Sequence, residues 1–90
     1  MQRKTEYLVR LCNEHYRPYG TRIDFLTLAD GLNFEGYRTE HGQEYSYTNF
    51  RGVARLISCV YNRLAIEGRE QDAEDVARTF VNSKGSYAYE

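Results

Sequence analysis

Residues 47–67 carry the longest apolar stripe in the chain, and this stripe restricts the fold more than any other feature. Its members recur at intervals of three and four residues: Phe50, Val53, Ala54, Ile57, Val60, Tyr61 and Leu64. That spacing predicts an amphipathic helix, whose apolar face must be buried against other elements of the chain. Ser46 is placed to cap the start of this helix, and Gly68 is placed to end it.

Three weaker helical patterns accompany it, over residues 3–16, 22–35 and 70–82. In the second pattern Asp24 is a suitable N-cap and Gly36 a suitable C-terminal cap, although Gly31 is unfavourable inside a helix. A strand over residues 23–28 is the competing interpretation, because apolar and polar residues alternate there. The patterns together predict an all-α domain of four helices. We expect the third helix to be central, with the first and fourth packed on it.

Two segments allow more than one interpretation. Residues 37–45 are polar and contain Gly42, which predicts a turn or a short β-hairpin. The last nine residues, 82–90, could pack back on the domain, pair as a short strand or reach a partner. Ninety residues suffice for one domain, so we expect residues 1–90 to form a single helical domain. The chain shows no signal peptide, transmembrane run or lipidation motif, which predicts a cytoplasmic protein without membrane contact.

Charge is unevenly distributed along the chain. The net charge of −1 argues weakly against nucleic acid, because phosphate-binding proteins usually carry a basic surplus. Residues 36–66, however, hold four arginines against two glutamates, and no carboxylate occurs between Tyr45 and Glu67. Arginine supplies a planar fork of donors suited to phosphate or to a guanine edge. The third helix is therefore predicted to be locally basic, whereas the acidic start of the fourth is explained by the helix dipole.

Catalytic and metal-binding patterns are weak. The thiols of Cys12 and Cys59 lie in apolar surroundings, which predicts two small buried hydrophobic residues in a reducing compartment. Together with His15 and His41 they are too scattered for a zinc site or a thiol nucleophile. No glycine-rich phosphate loop occurs. We expect no enzyme, no metal and no cofactor.

Tyrosine is the unusual residue count, with nine tyrosines and no tryptophan. Tyrosine offers a large contact area at low entropic cost. One interpretation is therefore that the tyrosines form hydrated surfaces that contact a partner. The other is that about half of these side chains only line the edge of the core.

Residues 28–51, LADGLNFEGYRTEHGQEYSYTNFR, are the most informative stretch. Their pattern predicts a helix, a glycine-capped stop, a polar turn, and a serine-capped helix with an arginine in its first turns. A helix-turn-helix, spanning about residues 24–67, requires this order. The first helix braces the second, and the second exposes polar residues near its N-terminus to base edges and phosphates.

This stretch resembles the DNA-binding region of the large serine recombinases and related phage helix-turn-helix proteins. In that family a small apolar helix ends in Leu-Asn, and glycine and threonine follow. A second glycine and an aromatic residue then precede the Ser or Thr that opens the next helix. The matching residues are Leu28, Ala29, Leu32, Asn33, Gly36, Tyr37, Thr39, Gly42, Tyr45 and Ser46. No catalytic serine domain accompanies them, so recombinase activity is not implied.

The resemblance also implies a set of DNA-contacting residues. The recognition positions are Tyr47, Thr48, Asn49, Arg51 and Arg55. Arg38 and Thr39 would lie in the turn, close to phosphate. We expect Arg51 and Asn49 to read base edges, because arginine and asparagine make the common bidentate contacts. The phosphate contacts are expected from Arg38, Thr48 and Arg55.

Two functions from different classes are compatible with the sequence. The first is a DNA-binding regulator of phage or mobile-element type that binds double-stranded DNA. It is expected to be a homodimer, because one small module seldom buries enough surface for tight binding. The second is a small protein-interaction module or inhibitor, for example of a host defence complex. The tyrosine excess, the near-neutral charge and the acidic fourth helix favour it.

Overall fold

A computed structural model describes residues 2–82, so the three interpretations of the tail lie outside the described residues except at Asn82. The chain begins with α1 (Gln2–Leu11), which continues through a π-helical turn (Cys12–Tyr16) into α2 (Arg17–Tyr19). The predicted first helix is thus confirmed, and it begins one residue earlier and ends three residues later than predicted. Pro18 lies directly after the π-helical turn, and Gly20 with φ +68° ends the helix.

The second predicted helix is confirmed as α3 (Phe25–Phe34), preceded by the short strand β1 (Ile23–Asp24). The Asp24 carboxylate caps it by accepting a 2.7 Å hydrogen bond from the Thr27 N–H. The competing strand interpretation holds only for β1, because this cap turns the chain into a helix. At the other end Gly36 adopts φ +86°, as the predicted C-terminal cap requires.

The central helix, α4 (Arg51–Ile66), starts four residues later than predicted, so Ser46 does not cap it. The Ser46 hydroxyl instead accepts hydrogen bonds from the N–H groups of Thr48 and Asn49, which closes a turn ahead of the helix. Serine competes with helix formation through such local bonds. Residues 35–50 therefore form a loop. Within the described residues no β-hairpin is present, and residues 37–45 form a turn.

The fourth helix, α5 (Glu70–Thr79), begins where predicted but ends three residues early. The chain becomes extended at Phe80 and forms β2 (Phe80–Val81), which pairs in parallel with β1 in the register Ile23↔Phe80. Residues 23 and 80 are too distant in sequence for local periodicity to predict this pairing. The described residues thus form an all-α fold with one two-residue parallel ladder.

The predicted packing is confirmed, because α4 contacts α1, α3 and α5. The core includes Leu8, Cys12, Leu28, Leu32, Val53, Ile57, Val60, Leu64, Val76 and Phe80. His15, which the sequence placed in the apolar stripe of the first helix, is instead exposed. The wider π-helical turn rotates the positions after Cys12 away from the stripe that a regular helix would form.

The acidic residues at the start of α5 also form ion pairs with arginines that precede the helix. Asp75, which is buried, accepts hydrogen bonds from Arg17 Nε and from Gln71 Nε2. Asp72 pairs with Arg69 at 3.0 Å, and Arg69 also reaches Glu6 at 2.7 Å. The hydrogen bond from Arg69 lowers the pKa of the Glu6 carboxyl. These carboxylates fasten α5 to the first helical segment, in addition to complementing the helix dipole.

Gly31 is explained by the Tyr7 hydroxyl, since a Cβ at position 31 would lie 2.6 Å from Tyr7 Oη. Gly31→Ala should therefore lower the free energy of unfolding by about 1 kcal/mol, because overpacking outweighs the gain of about 1 kcal/mol in helix propensity. In a Tyr7→Phe background the nearest ring atom is 3.8 Å away. The same substitution should then be stabilising. Urea denaturation of the four proteins tests this, and equal effects in both backgrounds would refute it.

Candidate nucleic-acid interface

A groove of about 420 Å³ lies between residues 39–46 of the loop and the exposed face of α4. Its walls carry both signs of charge and one thiol: Lys4, Glu40, His41, Glu44, Arg51, Arg55 and Cys59. Four of the seven predicted DNA-binding residues, Thr39, Asn49, Arg51 and Arg55, line this groove. The structure thus brings together the predicted residues from the turn with those from the helix.

Asn33 holds the loop in place. Its side-chain amide donates to the Tyr45 carbonyl at 2.9 Å, and its side-chain oxygen accepts from the Tyr45 N–H at 2.8 Å. One side chain thereby satisfies both backbone groups of Tyr45, as a neighbouring strand would. The Tyr45 ring is buried, and its hydroxyl accepts a 2.9 Å hydrogen bond from Lys4 Nζ. Asn33 and Tyr45 are both residues on which the family resemblance rests.

Other residues of the resembling stretch shape the turns of the loop. Gly42 has φ +80° and donates its N–H to the Thr39 carbonyl. The Thr39 hydroxyl accepts from the Gln43 N–H at 3.2 Å, and the two backbones are joined by a 2.8 Å hydrogen bond. Thr39 is therefore occupied in holding the turn. Thr39 and Gly42, two residues of the resembling stretch, thus both stabilise the turns of the loop.

Arg51 is the one predicted DNA-binding arginine whose side chain has no partner among the described residues. It is exposed, and within residues 2–82 its guanidinium group makes no hydrogen bond or ion pair. Its backbone N–H donates to Asn49 Oδ1 at 3.1 Å, so Asn49 lies at the start of α4 beside it. The amide nitrogen of Asn49 makes no hydrogen bond within the described range either. An unpaired guanidinium and an amide donor thus share the mouth of the groove.

The other predicted cations are partly neutralised. Arg55 Nη1 lies 3.1 Å from Glu40 Oε1, and His41 Nε2 lies 3.8 Å from the same oxygen. Arg38 donates to the Tyr37 carbonyl at 2.8 Å and lies 3.6 Å from Glu44. Because no carboxylate occurs between Tyr45 and Glu67, the sequence predicted that α4 is basic. In the structure, however, Glu40 of the preceding loop packs against α4 and pairs with Arg55. The basic surplus is therefore smaller than the sequence indicated.

Three predicted residues lie outside the groove: Arg38, Tyr47 and Thr48. Tyr47 turns toward α3, where its hydroxyl donates to Asp30 at 3.4 Å, and Thr48 is exposed in the turn ahead of α4. Sequence reasoning missed Lys4, whose ammonium group donates to the Arg38 carbonyl and the Tyr45 hydroxyl. Only the fold brings Lys4 to this loop, so no sequence signal could have indicated it.

Comparison with protein-family models, with curated proteins and with solved structures finds no significant match to this chain. The likeness of residues 28–51 to recombinase DNA-binding regions therefore remains a prediction from the residues themselves. Within residues 2–82 no helix is long and apolar enough to cross a membrane. In the same range no three His, Cys, Asp or Glu side chains are grouped as metal ligands.

The two cysteines differ in accessibility, which corrects one prediction. Cys12 is buried as predicted, but Cys59 is exposed on the groove face of α4. Burial raises the pKa of the Cys12 thiol to about 11. At pH 8 only about one Cys12 thiol in a thousand is then ionised, and the thiolate is the reactive form. Iodoacetamide should therefore label Cys59 alone in the folded protein and both cysteines in urea. Peptide mapping by mass spectrometry measures this, and labelling of folded Cys12 would contradict it.

Proposed function

We propose that this chain binds double-stranded DNA through the groove face of α4, as a regulator of phage or mobile-element type. The observation that carries the proposal is Arg51, an exposed guanidinium without a partner among the described residues, beside Asn49 at the start of the central helix. A free arginine fork matches the O6 and N7 acceptors of guanine in the major groove. Such a protein would act in the cytoplasm.

The other predicted DNA-binding residues supply the remaining contacts. Arg51 and Asn49 read base edges, while Thr48 and Arg55 contact phosphates on either side. To contact a phosphate, Arg55 must break its ion pair with Glu40. The free energy needed to break this pair reduces the contribution of Arg55 to DNA affinity. Because one module of this size buries little surface, two copies bind as a homodimer on two half-sites.

Salt dependence of binding tests the proposal. If Arg55 neutralises one phosphate while Arg51 reads a base edge, log Kobs should fall with log[salt] with a slope of about −0.9 per protomer. Fluorescence anisotropy with a duplex selected from a random pool measures this slope, and a scrambled duplex serves as the control. Absence of duplex binding at low salt, or a slope near zero, would overturn the proposal.

Replacing Glu40 tests the competition inside the groove. Glu40→Gln removes the carboxylate that holds Arg55, so affinity for duplex DNA should rise about twofold to fivefold, the range expected for an exposed ion pair. The matched control is Glu14→Gln, which changes the net charge equally at an exposed position outside the groove. Equal effects of the two substitutions in an anisotropy titration would show that only net charge matters.

A second candidate function, binding of another protein, is favoured by a different observation. An exposed apolar surface on α3, away from the groove, includes Phe34 and Leu26. Exposed aromatic side chains grouped in this way commonly anchor protein partners. This surface is compatible with DNA binding, because the two faces share no residue.

A further inference from the structure

Four side chains form the surface that we call the α3 patch: Leu26, Asp30, Phe34 and Tyr47. Phe34 is 87% exposed and Leu26 is 46% exposed, and Asp30 lies midway between them on the same helix face. Tyr47, 45% exposed, reaches over from the loop and donates its hydroxyl to Asp30 at 3.4 Å. The patch is apolar except for one carboxylate at its centre.

The grouping sets the patch apart from ordinary surface hydrophobic residues. Single exposed apolar side chains are normal, and Ile66, at the end of α4, is one such residue. In the patch, however, Leu26 and Phe34 flank Asp30 along one helix face, and Tyr47 contacts Asp30. Binding hot spots combine aromatic anchors with a few polar groups that set specificity.

Size and charge argue against a second copy of the chain as the occupant. A fully exposed aromatic side chain offers about 150–250 Å², so the patch supplies less than the roughly 800 Å² per partner of a standard interface. Packing α3 on α3 about a two-fold axis at Asp30 would also bring two like charges together. A partner that offers a cation at this point would be complementary instead.

We propose that the α3 patch docks an amphipathic helix of another protein, with a lysine or arginine midway between two apolar side chains. Leu26 and Phe34 lie about 12 Å apart along α3, at 1.5 Å per residue. Apolar residues eight positions apart on the partner helix span the same distance, and the cation between them meets Asp30. The two helices then pack face to face through anchors at helical spacing, with Tyr47 beside Asp30 at the edge of the contact.

The probe is a synthetic alanine-based helical peptide with leucines eight residues apart and a lysine midway. Its twin carries glutamate at that position. Titration followed by NMR should show the lysine peptide binding about tenfold more tightly than its twin. Phe34→Ala should weaken binding at least about tenfold, and Ile66→Ala, the matched control, should leave it unchanged. Asp30→Lys should invert the preference between the two peptides.

Several results would overturn the proposal. These are no binding of the lysine peptide, no preference between the peptides, or equal affinity after Phe34→Ala. Self-association in sedimentation equilibrium that Phe34→Ala abolishes would assign the patch to a second copy. Altered Phe34 ring signals after deletion of residues 83–90 would assign it to the chain's own end. DNA binding is measured separately from peptide binding. Phe34→Ala leaves the groove intact and Arg51→Ala leaves the α3 patch intact, so failure of one proposal is distinguishable from failure of the other.

Discussion

Asn33→Ala should lower the free energy of unfolding by about 2–4 kcal/mol, since it breaks two hydrogen bonds and leaves two partly buried backbone groups unpaired. Both bonds join the Asn33 side chain to the Tyr45 backbone, at 2.9 Å and 2.8 Å. Without them Tyr45 is no longer held against Lys4 and α4. We expect the loop wall of the groove to move, so that affinity for DNA falls as well.

Urea denaturation followed by circular dichroism measures this change. The matched control is Asn62→Ala, an asparagine exposed on α4 without a hydrogen bond among the described residues. That substitution should be neutral or slightly stabilising, because alanine has the higher helix propensity. An effect of Asn33→Ala no larger than that of Asn62→Ala would contradict the role assigned to the Asn33 amide.

Arg51→Ala should weaken specific DNA binding by about 1–3 kcal/mol, which is roughly fivefold to 150-fold, and should relax sequence preference at one base pair. The physical reason is loss of a bidentate guanidinium that the fold leaves unpaired among residues 2–82. The fold itself should be unaffected, because the Arg51 side chain is exposed. Lysine at this position should restore part of the affinity but little of the specificity, since it lacks the planar fork.

Arg78→Ala is the matched control for this prediction. Arg78 is also an exposed arginine, but it lies in the last turn of α5 and does not line the groove. Its loss should lower affinity only through net charge and should leave the selected sequence unchanged. Equal losses for the two variants in parallel anisotropy titrations would refute a specific role for Arg51.

Local patterns predicted the helices and their glycine-capped ends, because apolar periodicity and left-handed caps are properties of neighbouring residues. Gly36 and Gly68 both adopt positive φ where the sequence placed helix stops. The start of α4 could not be predicted in the same way. Ser46 is able to cap a helix or to close a turn, and the difference depends on the distant contact that holds Tyr45 to Asn33.

The sequence predicted which residues line the candidate site better than it predicted the charge of that site. Thr39, Asn49, Arg51 and Arg55 were all expected near one another, and all four line the groove. Counting charges along the chain, however, did not show that Glu40, which lies 15 positions before Arg55, pairs with it in space. A charge count along the sequence gives the charge of a surface only where no other segment of the chain packs against that surface.

DNA binding by the groove is tested most directly by mapping the DNA-binding face with NMR. Uniformly ¹⁵N-labelled protein is titrated with the duplex selected from the random pool. We expect amide and side-chain shifts at Asn49, Arg51 and Arg55, with the signals of Leu26 and Phe34 unchanged. Shifts confined to another face, or none at all, would contradict DNA binding by the groove.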